Sequence, residues 1–137
     1  MNTTYAATLD RFGPLAGRIL LSIIFILAGY GKITGFSGTV NYMASHGLPF
    51  PELLLPFVIL IELGGGLMLL VGWKARIAAL ALFLFIIPAT LVFHAFWSVD
   101  PAEAQLQRIM FLKNLAIMGG MLYVMAYGPG PLSLDKK

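Results

Sequence analysis

A single acid interrupts the most apolar part of this chain. Residues 54–73 read LLPFVILIELGGGLMLLVGW, and only Glu62 among these twenty is neither apolar nor glycine. An ionised carboxylate is costly in such surroundings unless it is paired, so an acid placed there is by default a candidate for function. We expect Glu62 to exchange a proton with a bound ligand. The alternative is a structural link between helices, either protonated or ion-paired.

Two polar residues of the last apolar run are candidates to face Glu62. The stretch FLKNLAIMGG places Lys113 and Asn114 about one turn inside the edge of that run. Lys113 shares a helix face with Gly120 and can point inward, as a partner of Glu62 and a donor to a ligand. The alternative is that its ammonium group extends to the membrane surface. Asn114 is predicted to orient the ligand.

His94 is the third candidate catalytic group, after Glu62 and Lys113. Thr90, His94 and Trp97 share one face if a helix continues through PATLVFHAFW. His94 then lies about 5 Å inside the helix end, in the same half of the membrane as Lys113. We expect both to stabilise the reduced form of a ligand. The alternative is a histidine whose hydrogen bonds are satisfied at the membrane interface.

Further ligand contacts are expected at the same end of the molecule. Lys32 ends the first apolar run and can reach the mouth of a pocket. Three aromatic residues are expected to form its walls: Trp97, Tyr42 and Phe36. No metal site is predicted.

The polar candidates are unevenly distributed across the membrane. Lys32, His94, Lys113 and Asn114 all belong to one half, and Glu62 is the deepest residue of the set. A channel or a proton pump needs polar groups through the whole thickness. The distribution instead predicts a one-sided pocket for an amphipathic ligand, with the carboxylate at its floor.

The composition identifies the elements that must position these groups. The 137 residues are 59% hydrophobic and 11% charged, with a mean hydropathy of +0.88, whereas a soluble domain carries about a quarter charged residues. Backbone groups in lipid are satisfied within helices. We predict an all-α membrane protein with one domain, 1–137, built as a four-transmembrane-helix bundle. Its spans are the apolar runs 14–31, 53–73, 77–97 and 109–127.

Basic residues predict the orientation of the bundle. The side that carries the termini holds six: Arg11, Arg18, Lys74, Arg76, Lys136 and Lys137. The other side holds Lys32 and Arg108, with Lys113 a turn inside the membrane. The positive-inside rule then makes both termini cytoplasmic, with Arg18 as an anchor at the inner surface. Alternatively, the first run has the length of the apolar part of a signal peptide.

Two shorter segments are also expected to be ordered. Phe36, Val40 and Met43 follow a helical period, which predicts a short interfacial helix between the first two spans. The tail GPGPLSLD is expected to pack on helix ends through Leu132 and Leu134, with Asp135 near Arg76 or Arg18.

Composition also excludes some kinds of chemistry. The chain has no cysteine, which excludes disulfides, thiol catalysis and cysteine-held iron–sulfur or zinc sites. A redox role therefore requires a bound cofactor or a partner protein. The net charge of +3 does not indicate nucleic-acid binding, because the basic residues mark membrane edges and form no patch.

Several stretches, in this order and at this spacing, resemble the DoxX family of small inner-membrane proteins. They are GRILLSIIFILAGYGKITGF, YMASHGLPFPE, IELGGGLMLLVGWKAR, HAFW, FLKNLAIMGG and GPGPLSLD, and they cover nearly all of the chain. The chain is most similar to short enterobacterial-type members. The resemblance implies a four-helix bundle and family residues at Glu62, Lys113 and Asn114. It also implies a connection with quinones, because relatives include a subunit of a thiosulfate:quinone oxidoreductase and proteins of catechol and hydroquinone stress.

We therefore expect a multi-pass protein of the bacterial inner (plasma) membrane that binds a quinone or a related aromatic redox molecule. It would act as the membrane subunit of an oxidoreductase or in the response to quinone and oxidative stress. Its expected partners are the lipid bilayer and a soluble or membrane-bound oxidoreductase, with self-association left open. Two alternatives stay open: a transporter for a small solute, with an inner pathway beginning at Arg18 and Ser22, and a non-catalytic assembly or interaction subunit held by a Glu62–Lys113 pair.

Overall fold

The computed structural model describes residues 2–135, and over that range it contains helices and no strands. Lys136 and Lys137, which entered the charge count above, lie outside the described residues. The helices are α1 (Thr3–Thr34), α2 (Phe36–Ser45), α3 (Pro51–Ile59), a π-helical segment (Leu60–Gly64), α4 (Gly65–Val71), α5 (Ala75–Phe93) and α6 (Pro101–Tyr127).

Four of these stretches are long and apolar enough to cross a membrane, which confirms the predicted all-α bundle. α1, α5 and α6 each form one span, and α3, the π segment and α4 together form the span Pro51–Val71. α1 and α6 extend beyond the apolar runs of the sequence. Asn2 caps α1 through its side chain, and Pro101 occupies the first turn of α6, and both features favour the start of a helix. The predicted short helix between the first two spans is α2.

The third span is shorter than the sequence predicted. α5 ends at Phe93, and His94 already has a non-helical backbone with φ −125° and ψ 36°. The chain then turns toward the start of α6 at Pro101. The prediction that Thr90, His94 and Trp97 share a helix face is therefore wrong, because Trp97 lies in this turn.

Glycines let the second span pack closely against its neighbours. A Cβ atom added at Gly29 of α1 would lie 2.9 Å from both the Cβ and the backbone nitrogen of Leu63. α1 therefore approaches the backbone of the π segment directly, as small residues allow in membrane proteins. A Cβ at Gly65 would lie 3.1 Å from the side chain of Leu82. The GGG stretch is thus used for close packing between spans.

The packed core lies mainly in the half of the bundle that carries the termini. It consists of Phe25, Leu69, Ala75, Ala79, Leu82, Ile86, Met121 and Val124. A smaller cluster at the opposite end joins Val40 and Met43 of α2 to Leu55 of α3. The bundle is therefore filled by side chains at one end and covered by a short helix at the other.

The tail packs on the termini-bearing end of the bundle. The Asp135 carboxylate accepts hydrogen bonds from the backbone N–H groups of Lys74 and Ala75, at 2.6 and 2.9 Å. It thereby caps the first turn of α5. The side chains of Leu132 and Leu134 are exposed, so the expectation that they make the contact is wrong. Backbone groups and Asp135 hold the tail instead.

Arg18 is a buried structural residue. Its side chain is only 2% exposed, and its guanidinium donates to the carbonyl oxygens of Leu70 and Leu132, at 2.8 Å each. It joins α1 to α4 and to the tail. Arg18 thus lies at the termini-bearing end of the bundle, where an anchor was expected, but it is buried between α4 and the tail.

Candidate functional site

A cavity of about 500 Å³ opens in the half of the bundle opposite the termini. Side chains from α1, α2, α3, the π segment, α5 and α6 line it. Its walls are mostly apolar and include Phe25, Met43, Val58, Phe85, Val92 and Ile117. Among them stand a few polar groups: Lys32, Thr39, Tyr42, Glu62, His94, Lys113 and Asn114. We call this cavity the distal pocket.

Glu62 lies on the wall of the distal pocket and is ion-paired. Its carboxylate, in a residue only 5% exposed, accepts hydrogen bonds from Lys32 Nζ at 3.0 Å (Oε1) and 2.9 Å (Oε2). The pair joins the π segment to the last turns of α1. It is the one ion pair between side chains in residues 2–135.

The partner of Glu62 is therefore Lys32, and the expectation that Lys113 fills this role is wrong. The cause is the contact between Gly29 and Leu63 described above. Lys32 lies three residues beyond Gly29 and so shares its helix face. Close approach of α1 to the π segment then brings the Lys32 ammonium group over the carboxylate.

Lys113 lines the distal pocket but makes a different contact. Its Nζ lies 3.6 Å from Met110 Sδ on the preceding turn of α6, and the residue is half-buried. The sequence interpretation that it points inward agrees with this position. Sulfur is a weak acceptor, so Lys113 retains donors that this contact does not satisfy.

Two amide side chains of α6 form hydrogen bonds with residues at the end of α5. Asn114 Nδ2 donates to Thr90 Oγ1 at 2.8 Å, and Gln107 Oε1 lies 2.8 Å from His94 Nδ1. Sequence reasoning did not single out Gln107. Its spacing of seven residues from Asn114 puts both on one face of α6, and this is the signal that would have found it. Asn114 and His94 thus line the pocket, and each already forms one hydrogen bond within the protein.

The three aromatic wall candidates differ in position. Tyr42 lines the distal pocket, and its ring stacks on Phe93 with centroids 5.3 Å apart. Trp97 lies outside the pocket lining and is 59% exposed, because α5 ends before it. It packs edge-on against Phe96, with centroids 5.2 Å apart.

Phe36 is also absent from the pocket lining and is exposed. It is the first residue of α2, and the buried face of that helix carries Val40 and Met43. The assignment of Phe36 and Trp97 as pocket walls is therefore wrong.

Within residues 2–135, no three residues among the His, Asp and Glu side chains lie close enough together to hold a metal ion.

Comparison with known proteins identifies the family. The DoxX family model matches residues 13–95. The chain is 44% identical over 128 residues to the inner membrane protein YqjF of Escherichia coli strain K12, covering 93% of each protein. It is 32% identical over 123 residues to the inner membrane protein YphA of the same strain, covering 90% of this chain and 88% of YphA.

A more distant likeness joins the chain to a larger eukaryotic protein. The chain is 32% identical over 128 residues to a Surfeit locus protein 4 homolog of Schizosaccharomyces pombe. The match covers 90% of this chain and 36% of that relative. No solved structure matches the chain. The family match, the two bacterial relatives and the four apolar spans agree with the resemblance found in the sequence. The chain is a multi-pass inner-membrane protein and belongs to the DoxX family.

Proposed function

We propose that the distal pocket binds a quinone or a related aromatic redox molecule. The protein would thereby serve as the membrane subunit of an oxidoreductase or in the response to quinone and oxidative stress. The observation that carries the proposal is the pocket itself. Its volume of about 500 Å³ falls within the range of about 300–1,000 Å³ that is typical of small-molecule sites. Its apolar walls with a few polar groups suit a flat ring with oxygen substituents.

Glu62 is the proton-exchanging group of this proposal. Paired with Lys32, it is a carboxylate on the pocket wall. Oxidation of a quinol releases two electrons and two protons. The carboxylate accepts one proton, the other passes to water at the pocket mouth, and the two electrons pass to an oxidised cofactor of a partner oxidoreductase. A ligand hydroxyl that binds beside Lys32 is within the reach of both groups of the ion pair.

The remaining polar groups orient and stabilise the ligand. Lys113 donates to a ligand oxygen that gains negative charge, and such a hydrogen bond is stronger than a neutral one. His94 Nδ1 donates to Gln107 Oε1, so the Nε2 atom of the neutral ring accepts a hydrogen bond from a ligand hydroxyl. Asn114 keeps its carbonyl oxygen free while its amide nitrogen is held by Thr90. Tyr42 offers a ring that is already stacked on Phe93, which adds a flat surface at the pocket wall.

The transporter alternative receives no support from the inner half of the bundle. Arg18 and Ser22, where an inner pathway was expected to begin, are both buried and hydrogen-bonded to backbone carbonyl groups. The assembly-subunit alternative is favoured by one observation, the ion pair of Glu62, which satisfies the carboxylate without any ligand. That pair is formed with Lys32 rather than with Lys113.

The test is mass spectrometry of small molecules that copurify with the detergent-extracted protein. We expect a stoichiometric quinone or aromatic molecule with the wild type and its loss from Glu62→Gln. Glu52→Gln is the matched control, because Glu52 is an exposed acid of the same span outside the pocket lining. Circular dichroism establishes that both variants fold. Only bulk phospholipid in all three folded proteins, with no binding of added quinone, would refute the proposal.

A further inference from the structure

The charges that line the distal pocket do not cancel. Its formally charged side chains are Lys32, Glu62 and Lys113, and Lys32 and Glu62 neutralise each other at 2.9 Å. Within residues 2–135, Lys113 takes part in no ion pair. The lining of the pocket therefore carries one uncompensated ammonium group beside mostly apolar walls.

Asn114 and His94, which line the pocket at the contact between α5 and α6, each already have one hydrogen-bond partner. Asn114 donates to Thr90, and Gln107 holds His94, each at 2.8 Å across the contact with α5. Lys113 has only the thioether of Met110 at 3.6 Å. An ammonium group carries three donors, and a thioether is a weak acceptor. Among the charged side chains of the pocket, Lys113 is thus the one without an ion-pair partner within residues 2–135, and its donors remain available to a ligand.

We infer that the distal pocket takes its ligand as an oxygen anion on an apolar body, and that Lys113 selects this charge. A half-buried ammonium group loses part of the stabilisation that water gives to its charge. A negatively charged ligand oxygen replaces that stabilisation. A neutral ligand of the same shape leaves the charge uncompensated. That the body of the ligand is aromatic rests on the proposed function. That its head group is negatively charged is a separate claim.

The chemistry points to acidic quinones, phenolates and the singly ionised form of a quinol. In each of these molecules an apolar ring carries one ionised oxygen. The oxygen binds Lys113, and the ring lies among the apolar walls. A charge-assisted hydrogen bond of this kind is expected to favour the anion over a neutral analogue by about tenfold to a hundredfold in Kd.

The test compares two ring probes of nearly equal size, by calorimetry on the protein in lipid nanodiscs. One is a hydroxynaphthoquinone that is ionised at neutral pH, and the other is the neutral methylnaphthoquinone. We expect the wild type to bind the ionised probe at least about tenfold more tightly. Lys113→Met should abolish the preference, because it should weaken binding of the ionised probe at least about tenfold more than binding of the neutral probe. Lys113→Arg should retain the preference.

Arg108→Gln is the matched control for general loss of positive charge. Arg108 lies on the same helix but stacks over Phe96, with its guanidinium carbon 5.2 Å from the ring centroid, and is outside the pocket lining. It should keep the wild-type preference. An equal loss in Arg108→Gln, or an unchanged preference in Lys113→Met, overturns the assignment to Lys113.

A second pair of probes separates this inference from the proposed function. Dodecanoate and its methyl ester differ in charge but carry no ring. If the wild type binds both naphthoquinones equally, the quinone site stands and the inference fails. If neither naphthoquinone binds but dodecanoate is preferred over its ester in a Lys113-dependent way, the anion site stands and the quinone proposal fails. If no probe binds, both fail.

Discussion

At the scale of single residues, the decisive feature is the partner of Glu62. A buried carboxylate in a membrane span is tolerated when it is paired, and Lys32 supplies the pair here at 2.9 Å. Lys113, the partner expected from sequence, is left with a free charge at the same pocket. The two lysines therefore differ: Lys32 compensates the acid, and Lys113 is the residue that we propose to bind the ligand.

This division of roles predicts different effects on stability. Lys32→Met leaves the Glu62 carboxylate buried without its partner and is expected to lower the free energy of unfolding by roughly 3–5 kcal/mol. The double variant Lys32→Met with Glu62→Met should recover most of the loss, because an apolar pair replaces the ion pair. Urea or thermal unfolding in mild detergent measures both.

The control for this prediction is Lys113→Met. It removes an ammonium group from the same pocket but leaves the ion pair intact, so its stability should lie close to that of the wild type. A loss as large as that of Lys32→Met would mean that Lys113 also compensates Glu62.

At the scale of elements, the site depends on how closely α1 approaches the π segment. Gly29 leaves no room for a side chain, since an added Cβ would lie 2.9 Å from the backbone nitrogen of Leu63. The same approach carries Lys32 to the carboxylate. π-helical turns often occur at functional sites, and here one carries the acid.

Gly29→Ala is therefore expected to separate the two elements. The methyl group meets backbone, so the helix must move, at a cost of about 1–3 kcal/mol in unfolding free energy. Gly31→Ala is the matched control, because no heavy atom lies within 4 Å of its added Cβ. That change should be neutral or stabilise the helix by up to about 1 kcal/mol. The prediction fails if the two variants have equal stability and equal ligand affinity.

At the scale of the whole molecule, the two ends of the bundle differ in construction. The termini-bearing end is filled by the packed core and closed by Arg18 and the Asp135 cap. The opposite end contains the distal pocket beneath α2. Since the basic residues concentrate at the filled end, the positive-inside rule predicts that the pocket belongs to the outer half of the membrane.

The absence of cysteine from the sequence makes this orientation easy to test. Ser98→Cys places a thiol in the exposed turn between α5 and α6, and Thr3→Cys places one at the start of α1. In intact bacterial spheroplasts, a membrane-impermeant maleimide should label Ser98→Cys alone. Thr3→Cys should react only after permeabilisation. The reverse labelling pattern would put the termini outside the cell.

Sequence alone determined the properties that depend on local composition and period. The four spans, the short helix α2 and the presence of a membrane-embedded acid follow from hydropathy and helical spacing. The family follows from the resemblance of several stretches of the sequence. In lipid each span satisfies its own backbone hydrogen bonds, so a span can be predicted without its neighbours. The clustering of Glu62, His94, Lys113 and Asn114 toward one end followed from their positions along these spans.

Tertiary structure alone decided which of these groups meet. The choice of Lys32 as partner depends on a close glycine contact between α1 and the π segment, and nothing in the period of either helix specifies that contact. The end of α5 at Phe93 removed Trp97 from the pocket wall. Packing of α4 and the tail around Arg18 buried that residue. Each outcome depends on the rotation and the exact length of packed helices, which arise from contacts between residues far apart in the chain.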